Sequence, residues 1–149
     1  MAKGDDKDPL DREGAIEQLN LALTTQYRSV LQYAIAAGSA AGFEYQGLSD
    51  HLWAFAQAEL TDLRHLVEKI VALGGEPTTD LEPPRFYADP AKAVAWLLES
   101  EPTTIEALQD TISHTGHTGD SEALEHRLEH MIMRKQEQLD TLVRARGNP

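Results

Sequence analysis

The stretch LNLALTTQYRSVLQY at residues 19–33 decides how this chain folds. Its apolar residues recur at intervals of three or four positions, which is the period of a helix with one buried face. Halfway along this apolar stripe, between Leu23 and Val30, lies the polar residue Gln26. The stretch therefore predicts an amphipathic helix that carries a polar group at the middle of its buried face.

The same pattern recurs in four segments, and nothing in the chain alternates as a β-strand would. Helices are predicted at residues 9–41, at residues 47–73, from the pair Asp89-Pro90 onward, and from near Asp120 to a frayed end after residue 143. Residues 8–9 and 89–90 each place a capping aspartate before a proline that fits the first helical turn. Pro102 should kink the third helix rather than break it, because the apolar stripe keeps its phase there. We expect one all-α domain over residues 1–149.

The connections between these segments select a topology. Short links join helix one to helix two and helix three to helix four, so each pair should be antiparallel neighbours. The second link, residues 75–88, is longer and contains three prolines. A helix of about 27 residues is roughly 40 Å long, and this link can reach about 45 Å when extended. One long crossover between helices two and three predicts a bundle in which these two helices run parallel.

A polar group interrupts the apolar stripe near the midpoint of every helix. These groups are Gln26 in helix one, Glu59 and Asp62 in helix two, Glu101 in helix three, and Lys135 and Gln138 in helix four. In a bundle of similar helices the midpoints meet at one height, whichever way each helix runs. The six side chains are therefore predicted to converge on one buried layer.

Composition limits the classes of function. The chain has no cysteine, and its 25 acidic and 13 basic residues give a net charge of −12. Disulfides and thiolate metal sites are excluded, and the charge disfavours nucleic-acid and anionic-membrane partners. No apolar run approaches the roughly 20 residues of a membrane span, and residues 1–10 lack the apolar core of a signal peptide. We expect a cytoplasmic protein.

Residues 19–33, together with AELTDLRHLVEKIVALGGEP at residues 58–77, resemble the first two helices of bacterioferritins and related ferritin-like proteins. The resemblance is clearest over residues 19–77 and weaker over helices three and four. It implies a ferritin-like four-helix bundle. In that family the helices supply, in order, a glutamate, a Glu-x-x-His, a glutamate and a second Glu-x-x-His, which together hold two irons. The i, i+3 spacing places both ligands of a motif on one helix face.

Four of those six ligands are replaced in this chain. The family's ligand positions hold Gln26, Glu59 and Asp62, Glu101 with Glu99 as its competitor, and Lys135 and Gln138. Tyr33 matches a family tyrosine beside the site, and Leu60 stands where bacterioferritins place the methionine that ligates haem. Both histidines and two of the four glutamates are thus missing. The resemblance predicts a degenerate di-iron centre and no haem.

Lys135 is the group expected to replace the metals, because its ammonium would lie where the cations sit. It can pair with Glu59, Asp62 or Glu101, which would otherwise be costly buried anions. Three acids and one lysine leave about two negative charges, which protonation or one residual cation could neutralise. We expect a metal-free network. The alternative is a single divalent metal or iron held by the three carboxylates.

Two histidines on helix four have a spacing that metal sites use. His126 and His130 are separated by four positions, as are many pairs of metal ligands. Their neighbours Arg127, Glu129 and Arg134 are typical of a solvent-facing side. We therefore expect both histidines on the surface of the bundle.

A second apolar strip on the first two helices indicates a partner. It consists of Trp53, Leu60 and Val67 on helix two and Tyr27, Leu31 and Ile35 on helix one. A lone bundle would expose this strip, and exposed apolar strips usually mark an interface. The resembled family dimerises through these helices, so we expect a homodimer. Bacterioferritins use a fifth helix to build their cage, and the chain ends after helix four, so a 24-subunit cage is not expected.

Three hypotheses of function follow. The first is a ferritin-like bundle with a non-ferroxidase binding or structural role and no catalytic residue. The second is an iron-storage oxidase that uses a residual metal site of Glu59, Asp62 and Glu101. The third is a metal-free small-molecule binder or enzyme that uses Lys135 and the buried carboxylates. The residues do not select a substrate or ligand.

Overall fold

Four α-helices make up this computed structural model, which describes residues 10–114 and 119–147, with the backbone alone at residue 120. The helices are α1 (Arg12–Ser39), α2 (Gln46–Ala72), α3 (Pro90–Ile112) and α4 (Gly119–Arg146), and a 3₁₀ turn at Phe43–Tyr45 precedes α2. No strand occurs in the described residues. All four predicted helices are confirmed, and their ends lie within one turn of the predicted positions.

The start of α1 differs from the predicted one. The predicted pair at residues 8–9 lies outside the described residues, and the cap is Asp11, whose Oδ1 accepts a hydrogen bond from the Gly14 amide at 3.1 Å. Its second oxygen, Oδ2, lies 2.9 Å from Nδ1 of His114. The hydrogen bond with His114 holds the pKa of the Asp11 carboxyl below its ordinary value. Asp11 thus both caps α1 and joins it to the end of α3.

The third helix begins as its sequence predicts. Oδ1 of Asp89 accepts a hydrogen bond from the Ala91 amide at 2.9 Å, and Pro90 occupies the first helical position. The helix then continues without a break through Pro102. An unbroken α3 keeps the residues on either side of Pro102 on one apolar face.

Neighbouring helices in the bundle are antiparallel. α1 packs against α2 and α3, and α4 packs against α3 and α2. Arg12, at the start of α1, donates to the Leu73 carbonyl just beyond α2 at 2.8 Å. At the other end of α1, Ser49 near the start of α2 donates to the Ala37 carbonyl at 2.8 Å. Ala37 belongs to the same core cluster as Ala93 near the start of α3, so α2 and α3 run parallel, as predicted.

The crossover at residues 73–89 lies along α1. Asn20 donates to the crossover at the Glu76 carbonyl and accepts from the Thr78 amide, at 3.1 and 2.8 Å. The Gln32 amide donates to the Arg85 carbonyl at 2.7 Å and accepts from the Arg85 amide at 2.8 Å. These side chains satisfy backbone groups of a segment that has no regular secondary structure, and they fix its path.

The apolar core consists of two clusters, one toward each end of α1. The first includes Leu19, Leu23, Leu66, Ile70, Leu108, Leu128 and Met131, and the second includes Tyr33, Leu52, Leu97, Ile105, Leu139 and Leu142. Burial of each such side chain contributes about 1.5–3 kcal/mol. In the described part of the chain, no helix combines the length and the apolar character that crossing a membrane requires. The predicted polar layer lies between the two clusters.

Candidate functional site

The polar residues predicted from the four helices form one buried layer between the core clusters. Tyr33 beside the layer is fully buried. The six residues of the layer are each at most 3% exposed: Gln26, Glu59, Asp62, Glu101, Lys135 and Gln138. Glu99, the competitor for the third helix, is exposed. The six residues are therefore all buried, and Glu101 is the one that α3 contributes.

The Glu59 carboxylate is the centre of this layer. Its Oε2 accepts hydrogen bonds from Nζ of Lys135 and, at 2.6 Å, from Nε2 of Gln26. Its Oε1 accepts from Nε2 of Gln138 at 2.8 Å. Gln26 also donates to the Glu59 backbone carbonyl at 2.8 Å. Every one of these groups donates to Glu59, so the layer is arranged around an anion, whereas a metal centre surrounds a cation with acceptors.

These donors keep Glu59 ionised in an apolar interior. Burial disfavours the charged form of Glu59, but the Lys135 ammonium and the two glutamine amides outweigh that effect and hold its pKa below the ordinary value. The side chains of Glu59 and Lys135 are fully buried. Their ion pair confirms the predicted contact of Lys135 with one of the three acids, and it selects Glu59 among them.

Glu101 is the less satisfied of the two glutamates in the layer. Its Oε1 accepts a hydrogen bond from Oγ of Ser29 at 2.8 Å. Its Oε2 lies 3.8 Å from Nζ of Lys135, beyond hydrogen-bond distance, and no other described donor reaches it. Burial raises the pKa of Glu101, Lys135 opposes that rise, and the negative charge of Glu59 adds to it. Glu101 thus takes up a proton more readily than Glu59 does.

Tyr33 is the aromatic side chain that closes the layer beside the two glutamates. Burial raises the pKa of Tyr33 well above its ordinary value, and the charges of Glu101 and Glu59 add to the rise. Its ring packs edge-on against Phe55, with 5.7 Å between the ring centroids. Tyr33 therefore stays a neutral phenol against the carboxylates.

Asp62 has a partner that the sequence analysis did not assign to it. The guanidinium of Arg134 forms an ion pair with Oδ2 of Asp62. Arg134 was expected on the solvent-facing side of helix four, and its side chain is only 30% exposed. Burial lowers the pKa of Arg134, and the charge of Glu59 opposes that shift. The expectation for Arg134 was wrong, because its long side chain reaches from the flank of α4 to α2.

Sequence reasoning also missed two residues of α1 that support the layer. Ser29 lies three positions after Gln26 and thus on the same helix face, a spacing that could have identified it. Arg28 is buried, donates to the Ser100 carbonyl at 3.1 Å, and pairs with Glu82 of the crossover at 3.2 Å. No periodic signal marks Arg28, because its charged partner, Glu82, lies in a segment without regular structure.

The residues of the layer do not fit a di-iron centre. Both oxygens of Glu59 are engaged by N–H donors, Asp62 is paired with Arg134, and the two glutamines present amide hydrogens to Glu59. Across residues 10–114 and 119–147, no three His, Cys, Asp or Glu side chains are grouped so that they could hold a metal ion. A residual metal site at Glu59, Asp62 and Glu101 stays a prediction.

The apolar strip predicted to contact a partner is only partly exposed. Trp53 and Leu60 are 53% and 54% exposed, and Leu31 is also exposed. Val67 is half-buried, and Tyr27 is half-buried with its hydroxyl donating to the Thr78 carbonyl of the crossover at 3.0 Å. The crossover therefore covers the Tyr27 end of the strip, and the apolar surface that remains lies mainly on α2.

The fold of this chain is shared with solved structures. A ferritin-like di-iron-carboxylate protein from Bacillus anthracis is 26% identical and superposes with a TM-score of 0.82, covering 90% of this chain and 96% of its own. Bacterioferritin from Desulfovibrio desulfuricans is 23% identical with a TM-score of 0.77, covering 89% and 77%. Bacterioferritin from Rhodobacter capsulatus is 18% identical with a TM-score of 0.75, covering 86% and 80%.

The sequence comparison agrees with the shared fold. No curated protein matches the chain in sequence. The family described as the ferritin-like domain matches residues 16–146, which include all six residues of the polar layer. The chain therefore belongs to the ferritin-like family.

Proposed function

We propose that this chain is a cytoplasmic ferritin-like bundle whose di-iron centre has become a metal-free polar layer, with a binding or structural role in place of ferroxidase activity. The observation that carries the proposal is the ion pair of Lys135 with Glu59 inside the bundle. An ammonium fixed at this position supplies the positive charge that metal ions supply in di-iron relatives. The layer then fixes the register of the four helices.

The charges of the layer support the absence of iron. Metal ligands must be deprotonated and must turn lone pairs toward the ion. To bind iron here, Glu59 would have to leave Lys135 and Asp62 would have to leave Arg134. Separating Glu59 from Lys135 leaves an uncompensated buried charge, at about 3–5 kcal/mol for a dry pair. Separating Asp62 from Arg134 costs less, because the Arg134 side chain is 30% exposed to solvent. Iron binding would therefore have to offset both losses.

Iron loading tests this proposal directly. We expect protein purified from iron-supplemented cells to contain far less than one iron per chain by elemental analysis, and Fe²⁺ to oxidise in its presence no faster than in buffer. A variant with the family's ligands restored, Gln26→Glu, Asp62→His, Lys135→Glu and Gln138→His together, is the positive control for both assays. Two irons per wild-type chain, or rapid oxidation, would contradict the proposal and favour the oxidase. One iron per chain would favour the single-metal site.

The proposal includes a homodimer formed by α1 and α2. The exposed side chains of Trp53 and Leu60 are seven residues apart and therefore lie on one face of α2. Two-fold packing lets such a strip meet its own copy across the axis. Leu31 is an exposed apolar residue of α1 that belongs to the predicted strip. A stable pair would bury roughly 800 Å² per partner.

The substitution Leu60→Asp tests the dimer. We expect wild-type protein to scatter light as a dimer at micromolar concentration and the variant to scatter as a monomer, because two-fold packing brings like charges together. Circular dichroism should stay unchanged, since Leu60 is exposed. Val143→Asp is the matched control, because Val143 is a 45% exposed apolar residue of α4 and should leave the dimer intact. A monomeric wild type, or a 24-subunit particle, would refute this expectation.

A further inference from the structure

We propose that His126 and His130 form a surface site for a divalent late transition-metal ion such as Ni²⁺, Cu²⁺ or Zn²⁺. The two residues lie one turn apart on the same face of α4, and both side chains are exposed. Their imidazole rings have centroids 6.4 Å apart. The site lies outside the polar layer, so it does not depend on the function proposed for that layer.

The spacing suits chelation by two imidazoles. Zinc ligands in His-Glu-x-x-His helices are also separated by four positions, and a helix holds such a pair on one face. Imidazole nitrogen is a preferred ligand of zinc, copper and nickel, with metal–nitrogen distances of about 2.0–2.1 Å. Because both histidines are exposed, rotation of their side chains can close the two rings on one ion while the helix stays in place.

The basic residues nearest to the pair are turned away from it. Arg127 directs its guanidinium to α2, where an Nη atom lies 3.4 Å from Nε2 of His65. Arg134, one turn after His130, is held in the ion pair with Asp62. The two cations that the sequence places beside the histidines are therefore both engaged with α2. Repulsion between these arginines and a bound metal ion is reduced accordingly.

Acidic residues flank the pair on the exposed side of α4. Glu122 lies one turn before His126, and Glu129 lies three residues after it, and both are exposed. The whole chain carries a net charge of −12. This field raises the local concentration of cations near the histidines, although hard cations such as Mg²⁺ prefer oxygen ligands.

The site supplies two protein ligands. Among the described residues, no third His, Cys, Asp or Glu is arranged with the histidines as a further ligand. The remaining coordination positions are open to water. Two imidazoles with open positions give moderate affinity, with Ni²⁺ and Cu²⁺ ahead of Mn²⁺ and Fe²⁺ in the usual order of divalent ions.

Calorimetric titration of the tag-free full chain with Ni²⁺ at neutral pH tests the site. We expect one Ni²⁺ per chain in the micromolar range and no comparable binding of Mg²⁺. His126→Gln and His130→Gln should each weaken Ni²⁺ binding by about tenfold or more, since loss of even an outer-shell partner has effects of that size. His51→Gln, at an exposed histidine of α2, is the matched control and should bind as wild type does.

A second measurement separates ligation from any change in folding. On addition of Zn²⁺, the imidazole C–H resonances of His126 and His130 should shift while those of His51 stay in place. Circular dichroism should show equal helix content in all variants, because the substituted side chains are exposed. The site is overturned if Ni²⁺ binding is the same in the double variant, if Mg²⁺ binds equally well, or if no saturable binding occurs below millimolar Ni²⁺.

Discussion

Replacement of Lys135 by methionine is expected to destabilise the bundle by about 3–5 kcal/mol at neutral pH. Methionine keeps the unbranched apolar stem of lysine but removes the ammonium, so Glu59 becomes an uncompensated charge in a fully buried place. For a chain of this size the loss lowers the melting temperature by on the order of 10 °C. Thermal and denaturant unfolding followed by circular dichroism measures the loss.

Two variants control for effects other than the buried pair. Arg144→Met removes one positive charge from an exposed position of α4, and it should change stability by less than about 0.5 kcal/mol. Adding Glu59→Gln to Lys135→Met should recover most of the loss, because neither charge of the pair remains. A Lys135→Met protein that melts within a degree or two of wild type would show that the pair is not buried and dry.

The sequence predicts the fold well because helical periodicity and connection length are strong signals. The apolar period identifies all four helices, and the crossover is long enough for α2 and α3 to run parallel. The start of α1 was predicted at Asp8 and Pro9, which lie outside the described residues. The cap that the structure describes is Asp11, whose second oxygen meets His114 just beyond α3. This contact joins residues 103 positions apart, so a local capping pattern does not contain it.

The residues of the candidate site could be predicted from the sequence, but the ion pairs between them could not. The register of the stripes is enough to place six polar residues at one height. Which acid Lys135 would choose was open, and the pairing of Arg134 with Asp62 was missed. Long basic side chains have several rotatable bonds and can reach partners on either flank of a helix. The partner that such a side chain binds depends on the distances between helices, and these cannot be read from the periodicity of the sequence.

The two glutamates of the layer are expected to respond differently when each is replaced by glutamine. Glu59→Gln removes the partner of Lys135 and should destabilise the bundle by about 3 kcal/mol at neutral pH, the low end of the range for a broken buried pair. The low end applies because Glu101 lies 3.8 Å from Lys135 and can compensate in part. Glu101→Gln keeps an oxygen for Ser29 and should change stability by less than about 1 kcal/mol.

The pH dependence of stability distinguishes the two glutamates further. The folded-state pKa of Glu59 lies below its ordinary value of 4.5, so its stabilisation is present above that value and is lost as the pH falls through the folded pKa. The folded-state pKa of Glu101 lies above 4.5, so its stabilisation is full below that value and is lost as the pH rises through the folded pKa. The free energy of unfolding of Glu101→Gln should therefore increase relative to that of wild type as the pH rises.

Urea unfolding of both variants and wild type from about pH 4 to pH 8 measures these differences, since each charge that differs between the folded and unfolded states gives the stability a slope with pH. The gap between wild type and Glu59→Gln should be widest at neutral pH and should narrow in acid. If Glu101→Gln is as unstable as Glu59→Gln at neutral pH, Glu101 is an ionised partner that Lys135 requires. In that case the layer would have two anions sharing one lysine, and the charge left over would call for a bound cation.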